Sequence, residues 1–189
     1  MSEKNPVAEY IETATAAVTG MESGTAERIT GTIFKALHNR GKILVCGNGG
    51  CAADGSHFAG ELVGRFRRER RGMAAIALSS DTSVVTALGN DYGFDGIFER
   101  QVEALGMPGD ILVALSTSGT SRNILRAARR ASEMDIKVIA FTSASCSTAD
   151  WADIHWRAPS AETSHAQEQM IIVLHGICYG LEVLLEEKS

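Results

Sequence analysis

The sequence predicts an α/β protein: a three-layer α-β-α sandwich around a five-stranded parallel sheet, with extra helices at its N-terminus. Short apolar runs alternate with segments of helical pattern along the chain. These runs are rich in Val, Ile and Leu, as in strands that are buried on both faces. Parallel strands need crossover connections, which helices usually supply. We therefore expect one domain over residues 1–189, in which residues 1–40 form helices that serve packing and oligomerisation.

The predicted elements follow in chain order. Helical periodicity begins at Val7 and breaks in the glycine-containing segment GMESG, which predicts two helices before His38. Buried strands are predicted at Lys42–Cys46, Ala74–Leu78, Asp110–Leu115, Lys137–Thr142 and Ile154–Arg157. Further helices are predicted at Cys51–Phe66, Thr82–Gly89, Phe94–Leu105, Arg122–Ser132 and Glu162–Glu186. The turn residues of GNDYG are expected to separate the second and third of these helices.

Composition excludes several classes of protein. The chain has 18 Lys+Arg and 23 Asp+Glu, a net charge of −5, which argues against a dedicated nucleic-acid binder. No apolar stretch approaches the ~20 residues of a membrane helix, and the N-terminus lacks the pattern of a secretory signal. The cysteines are scattered, which is typical of a reducing compartment. We expect a cytoplasmic protein with neither a membrane nor nucleic acid as partner.

Two loops are candidates for binding a phosphate. In open parallel sheets, ligands bind beyond the carboxyl ends of the strands, which indicates Gly47–Gly50 and Ser116–Ser121 here. Glycines before a helix N-terminus suit an anion, although a tight turn without a ligand explains them as well. The second loop carries hydroxyls that can satisfy phosphate oxygens, or that simply cap a helix. Neither loop matches the common nucleotide-binding motifs.

Polar residues also recur on two helices. His57 and Glu61 are four residues apart and share a helix face, and Gln167 and His175 lie two turns apart on the last helix. Imidazole and carboxylate groups bind Zn²⁺, but this spacing alone is a weak signal. A surface pair and a hydrogen-bonded core histidine remain open alternatives.

Four blocks carry a resemblance to a known family: CGNGGCAADGSHFAGELVGRF, AIALSSDTSVVTALGNDYGF, QVEALGMPGDILVALSTSGTSRNIL and HAQEQMIIVLHGICYGLE. With them the sequence resembles the bacterial phosphoheptose isomerases of the sugar isomerase (SIS) domain superfamily. The resemblance implies a flavodoxin-like SIS fold. It also implies conversion of sedoheptulose 7-phosphate to D-glycero-D-manno-heptose 7-phosphate through an enediolate.

The resemblance further implies roles for particular residues. Glu61 would act as the base and His175 as its partner. One zinc ion per subunit would be held by His57, Glu61, Gln167 and His175. The substrate would contact Asn48, Gly49, Gly50, Cys51, Glu61, Asn90, Asp91, Ser116, Thr117, Ser118, Ser121 and Gln167. Family members are homotetramers with active sites at subunit interfaces.

Two departures and two alternatives accompany this resemblance. Cys51 stands where relatives usually carry serine, which we interpret as a conservative replacement rather than a reactive thiol. Ser164 stands where some relatives carry an acidic residue. The alternatives are a non-catalytic binder like the DnaA initiator-associating protein, which lacks the glutamate and histidine, and a sugar-phosphate sensor. The downstream pathway, whether lipopolysaccharide, S-layer glycan or natural product, stays open.

Overall fold

The computed structural model describes residues 5–186 and contains the predicted sheet. Its five strands are ordered β2-β1-β3-β4-β5, and every neighbouring pair is parallel. The strands are β1 Ile43–Gly47, β2 Ala75–Ala77, β3 Ile111–Leu115, β4 Lys137–Thr142 and β5 Ile154–Arg157. The fold class predicted from the apolar runs is confirmed.

The helices lie close to their predicted positions. They are α1 Pro6–Val18, α2 Gly24–His38, α3 Gly50–Val63, α4 Thr82–Tyr92, α5 Ile97–Leu105, α6 Arg122–Glu133 and α7 Thr163–Glu186. The main correction concerns GNDYG, which was predicted as a turn. α4 continues through this segment to Tyr92, and the chain turns at Gly93, whose φ of 75° suits glycine.

The two faces of the sheet have separate cores. Along β1, Ile43 and Val45 point to a core built with α2, α3 and α7. Leu44 and Cys46 point to the opposite core, built with α5 and α6. This alternation along one strand is the period-two pattern of a sheet that is covered on both sides, and it produces the three layers.

Helix α7 corrects one expectation from the sequence. It is 24 residues long, and an 18-residue window has a mean hydropathy of 1.4, enough by length and composition to cross a membrane. The expectation that no apolar stretch approaches that length was therefore wrong. Met170, Leu174, Ile177 and Leu181 are fully buried in the first core, so the packing of α7 against α2 and α3 accounts for its apolar character.

Candidate active site

The two predicted phosphate loops lie side by side at the carboxyl edge of the sheet. β1 and β3 are neighbours, and Gly47 at the end of β1 pairs with Leu115 at the end of β3. A reciprocal amide pair joins the loops: Asn48 Nδ2 donates to Asn123 Oδ1 at 2.9 Å, and Asn123 Nδ2 donates to Asn48 Oδ1 at 2.8 Å. The Asn48–Asn123 pair thus joins the start of α3 to the start of α6. Sequence reasoning missed Asn123, which had no recognisable motif.

The first loop is shaped by close packing of α7. Gly49 has φ 53° and ψ −122°, a conformation that favours glycine. A Cβ atom on Gly50 would lie 2.5 Å from Nε2 of Gln167. Glycine at position 50 is therefore needed for helix packing, whether or not a ligand also approaches.

Cys51 connects both loops to α7. Its sulfur accepts a hydrogen bond from Gln167 Nε2 at 3.8 Å, and the backbone N–H of Thr117 also hydrogen-bonds to it. Burial raises the pKa of the thiol, and these two donors offset only part of that effect. The cysteine is a buried neutral thiol, which favours its interpretation as a conservative replacement.

The hydroxyl loop is pre-arranged at the start of α6. Ser116 Oγ donates to Ser121 Oγ at 3.2 Å, and Ser118 Oγ accepts from the backbone N–H of Thr120 at 3.2 Å. Ser118 and Thr120 are exposed, while Ser116 is buried. Two of the predicted phosphate hydroxyls therefore brace each other, and Ser118 faces solvent beside a helix N-terminus that favours anions.

Residues from the β4 side support this loop. Ser143 donates to the Thr117 carbonyl through its backbone N–H at 3.0 Å and through Oγ at 2.7 Å. Gly119 has φ 68°, and a Cβ there would overlap Cys146 Sγ. These contacts hold the backbone of the hydroxyl loop from the β4 side. Ser143 and Cys146 carried no signal in the sequence, because their role depends on contacts 26 and 27 residues away along the chain.

The predicted base Glu61 and its partner His175 both lie close to His57, further along α3 from the loops. His57 Nε2 lies 2.9 Å from His175 Nε2 and 3.4 Å from Glu61 Oε1. The Phe66 ring lies 5.2 Å from the His175 ring. Burial lowers the pKa of His175, and the neighbouring His57 lowers it further. His175 is therefore favoured in its neutral form at neutral pH.

The structure brings together three of the four predicted metal ligands. Gln167 instead contacts Cys51, two turns before His175 on α7. Within residues 5–186, no group of three or more His, Cys, Asp or Glu side chains forms a metal site. The donor types nevertheless fit zinc. Two imidazoles and a carboxylate are donor types that bind zinc, so His57, Glu61 and His175 are the residues that would hold one.

Asn90 and Asp91 lie elsewhere. They are exposed at the C-terminal end of α4, where Asn90 Nδ2 donates to Asp91 Oδ1 at 2.8 Å. In the part of the chain that the structure describes, no hydrogen bond or ion pair joins them to His57, Glu61 or the hydroxyl loop. Their contact with substrate stays a prediction.

Asp54 is a candidate that the sequence reasoning did not name. It lies on α3 one turn after Cys51 and one turn before His57. Its Oδ2 is buried and has no hydrogen-bond partner among the described residues, and burial raises the pKa of its carboxyl group. An unpaired buried oxygen is costly. The i, i+3 spacing from Cys51 and to His57 is the signal that would have revealed it.

The site thus has two parts along α3. The glycine and hydroxyl loops form a candidate anion site at the N-terminus of α3, and the candidate acid–base residues lie further along the same helix. At about 1.5 Å per residue, Glu61 is roughly 16 Å along the axis from Gly50. Such a site can bind the phosphate of an elongated molecule at one end and move a proton at the other.

Comparisons with known proteins identify the family. A family model described as SIS domain matches residues 9–143. The chain is therefore an SIS-domain protein.

Relatives narrow the class. A phosphoheptose isomerase of Bordetella avium (strain 197N) is 52% identical over 157 residues, covering 81% of this chain and 80% of the relative. The structure of phosphoheptose isomerase GmhA from Neisseria gonorrhoeae has a TM-score of 0.86 at 38% identity, covering 94% of this chain and 97% of that one. A phosphoheptose isomerase from Francisella tularensis has a TM-score of 0.89 at 34% identity, covering 96% and 98%.

The chain belongs to the phosphoheptose isomerase family, and it is a sugar-phosphate isomerase. This confirms the family expected from the four sequence blocks. The alternative of a non-catalytic binder or sensor is not supported, because curated relatives at 45–52% identity are phosphoheptose isomerases.

Proposed function

We propose that this isomerase converts sedoheptulose 7-phosphate to D-glycero-D-manno-heptose 7-phosphate. One observation carries the proposal: His57, Glu61 and His175 cluster on α3 and α7, further along α3 from a loop pair suited to a phosphate. This separation favours a long sugar phosphate, in which the phosphate and the C1–C2 carbons are at opposite ends.

Glu61 is the proposed base. Its carboxylate removes a proton from C1 of the ketose and delivers it to C2, while the proton of the C1 hydroxyl passes to the C2 oxygen, so the carbonyl moves from C2 to C1 through an enediolate. Such a positioned group typically contributes about 10²–10⁴-fold. His175 is favoured as neutral imidazole, which donates an N–H hydrogen bond to the developing oxyanion without being consumed as a strong acid.

His57, Glu61 and His175 are the proposed zinc ligands, with Gln167 as the fourth after a shift from Cys51. An atom of Glu61 or His175 that ligates zinc is not free to act as base or hydrogen-bond donor, so the acid–base roles above apply to these groups when they do not ligate the metal. A bound zinc would polarise the carbonyl and stabilise enediolate charge. Elemental analysis of protein purified without added metal or chelator tests this proposal. We expect about one zinc per chain. Less than a tenth of an equivalent of any transition metal, with full activity, would overturn it.

A homotetramer with active sites at subunit interfaces is also proposed. Val63, Ile172 and Tyr179 are exposed on α3 and α7 near His175, and Val7 and Ile11 are exposed on α1, which has no buried residue. Exposed apolar groups that flank an active site suit a covering subunit. The N-terminal helices would serve this packing.

Sedimentation measurements test the assembly. Ile172→Asp should dissociate the oligomer and reduce activity, whereas Met107→Asp, at an exposed apolar position on the loop before β3, should change neither. A wild-type monomer with full activity would contradict the proposal.

The proposed compartment is the cytoplasm, supported by four free thiols.

The substrate is tested by incubating the enzyme with sedoheptulose 7-phosphate and following products by NMR. We expect an aldoheptose phosphate, absent with Glu61→Gln. Fructose 6-phosphate, which is one carbon shorter, is the comparison substrate and should react much more slowly. Equal turnover of both sugars, or no aldoheptose product, would overturn the proposed specificity.

A further inference from the structure

A second cavity lies at the edge of the sheet opposite the active-site loops. Its volume is about 870 Å³, within the range of small-molecule sites. Gly41 and Ala74, which precede β1 and β2, form part of its wall, together with the end of α7. The phosphate loops follow the other end of β1, roughly 16 Å away at about 3.3 Å per strand residue.

The cavity wall carries more positive charge than its carboxylates neutralise. Arg70 pairs with Glu182 at 3.2 Å, Arg68 pairs with Glu186, and Glu69 pairs with Arg65 at 3.6 Å. Two further guanidinium groups line the same cavity, those of Arg40 and Arg71. Among residues 5–186, neither of these two side chains has a hydrogen bond or ion pair.

Arg40 occupies a backbone position where glycine would be less strained. Its φ is 65°, and it follows α2 in a Schellman motif: Gly41 N–H donates to Ala36 O at 2.9 Å, and Arg40 N–H donates to Leu37 O at 3.1 Å. The left-handed conformation is costly for a residue with a Cβ. An arginine at this position suggests that its side chain has a function outside the turn.

Apolar side chains form another part of the lining. Phe34, Leu37, Met73 and Leu185 contribute to it, and the Phe34 and His38 rings are stacked at 5.9 Å. A cavity in which two guanidinium groups have no partner among the described residues, beside apolar side chains, fits an anion that also has a planar, weakly polar portion.

We propose that this cavity binds a nucleoside diphosphate. The guanidinium groups of Arg40 and Arg71, which have no ion pair or hydrogen bond among residues 5–186, match the diphosphate charge, and the apolar lining matches the base. The site is separate from the active-site loops, so this proposal does not depend on the identity of the sugar substrate.

Calorimetry with ADP, pyrophosphate and inorganic phosphate tests the proposal on the full-length protein. ADP should bind most tightly, followed by pyrophosphate and then phosphate. Arg40→Gly and Arg71→Gln should each weaken ADP binding at least tenfold. Arg40→Gly should not lower the Tm of the ligand-free protein, because glycine relieves the turn, and turnover should stay within twofold of wild type.

Asp135→Gly is the matched control. Asp135 has φ 56° and occupies the same turn position after α6, and it is not among the described residues that line the cavity, so its replacement should leave ADP binding intact. Ser121→Ala should also leave ADP binding intact, which separates this cavity from the active site. An ADP affinity that is unchanged in both arginine variants would overturn the proposal, and so would pyrophosphate binding as tightly as ADP. A changed oligomeric state in Arg71→Gln would overturn it as well, since the cavity would then be a subunit contact.

Discussion

Helices α3 and α7 run side by side, and the two ends of their contact differ. At the loop end, Cys51 meets Gln167 and His57 meets His175. At the arginine end, the segment after α3 meets Glu182. The same pair of helices therefore carries two polar clusters, which differ in how completely their hydrogen bonds are satisfied.

At the arginine end, the carboxylate of Glu182 has its full set of hydrogen-bond donors. The Glu182 carboxylate accepts hydrogen bonds from the backbone N–H groups of Phe66 at 2.9 Å, Arg67 at 3.0 Å and Arg68 at 3.1 Å, and from Arg70 Nε at 3.2 Å. Its side chain is fully buried. Arg70 also donates to the Glu61 and Leu62 carbonyls, which closes the C-terminus of α3.

The loop end is incomplete. Asp54 Oδ2 is buried without a partner, the Gln167–Cys51 contact is a long 3.8 Å, and His57 remains half exposed. Unsatisfied polar groups are typical of sites that are completed by a ligand, a metal or another subunit. One end of the helix pair is therefore a satisfied structural cluster, while the other leaves polar groups unsatisfied, as in a binding or catalytic site.

The largest expected effect comes from the proposed acid–base group. Glu61→Gln keeps the shape but removes the proposed base, so kcat should fall by about 10²–10⁴-fold. The fold and oligomer should remain intact. Steady-state kinetics and sedimentation measure this, with Glu133→Gln on the exposed surface of α6 as the control. A kcat near the wild-type value would exclude Glu61 as the base.

Glu182→Gln should instead reduce stability. It leaves the Arg70 charge buried without its partner and weakens acceptance from three N–H groups, so unfolding free energy should fall by about 3–5 kcal/mol. Chemical denaturation measures it. Glu103→Gln, in an exposed pair with Arg100, should change stability by less than about 0.5 kcal/mol. Equal effects of the two changes would remove the distinction between the two ends.

Acid should reduce the stability provided by the arginine end. Burial alone would raise the pKa of Glu182, but the backbone donors and Arg70 outweigh it and hold the pKa below the ordinary value. Its contribution is therefore present above about pH 4.3 and is lost as pH falls through the lower folded pKa. The stability gap between wild type and Glu182→Gln should shrink in that range. A gap that widens on acidification would contradict the assigned direction.

The sequence predicted the sheet and its helices because each strand is a short apolar run that is buried on both faces, and because helical patterns separate the runs. The turn predicted at GNDYG was wrong, because α4 continues through its turn residues to Tyr92. Intrinsic turn preference is only a weak prior when a helix can extend through the segment.

Prediction of the site was uneven for a physical reason. Sequence patterns named Ser118, which lies among other hydroxyl residues, and Glu61, which is four residues from His57, and their roles stay predictions. Asn123, Ser143 and Glu182 were missed because their importance depends on contacts made across the fold. The sequence also grouped Gln167 with His175, whereas the structure places Gln167 against Cys51.

The hydroxyl loop should show a smaller effect than either glutamate. Ser118→Ala and Ser121→Ala should each raise KM by roughly tenfold, because each removes about one hydrogen bond to a charged group. A smaller fall in kcat reflects lost orientation. Ser132→Ala, whose hydroxyl bonds its own helix at Ala128, is the control. If KM is unchanged in both variants, the loop does not bind the phosphate.

The smallest expected effect is that of Cys51→Ser. The thiol is buried and its raised pKa keeps it neutral, so no reactivity is lost with the sulfur. A serine hydroxyl is smaller, but it accepts from Thr117 N–H and Gln167 Nε2 more strongly than sulfur does, and the two effects oppose each other. We expect kcat and KM within about threefold of wild type and a Tm within about 2 °C. Kinetics and thermal unfolding measure both, and Cys51→Ala, which removes the acceptor, should be the less stable variant. A large loss of activity in Cys51→Ser, with the fold intact, would show that the sulfur itself takes part in the reaction.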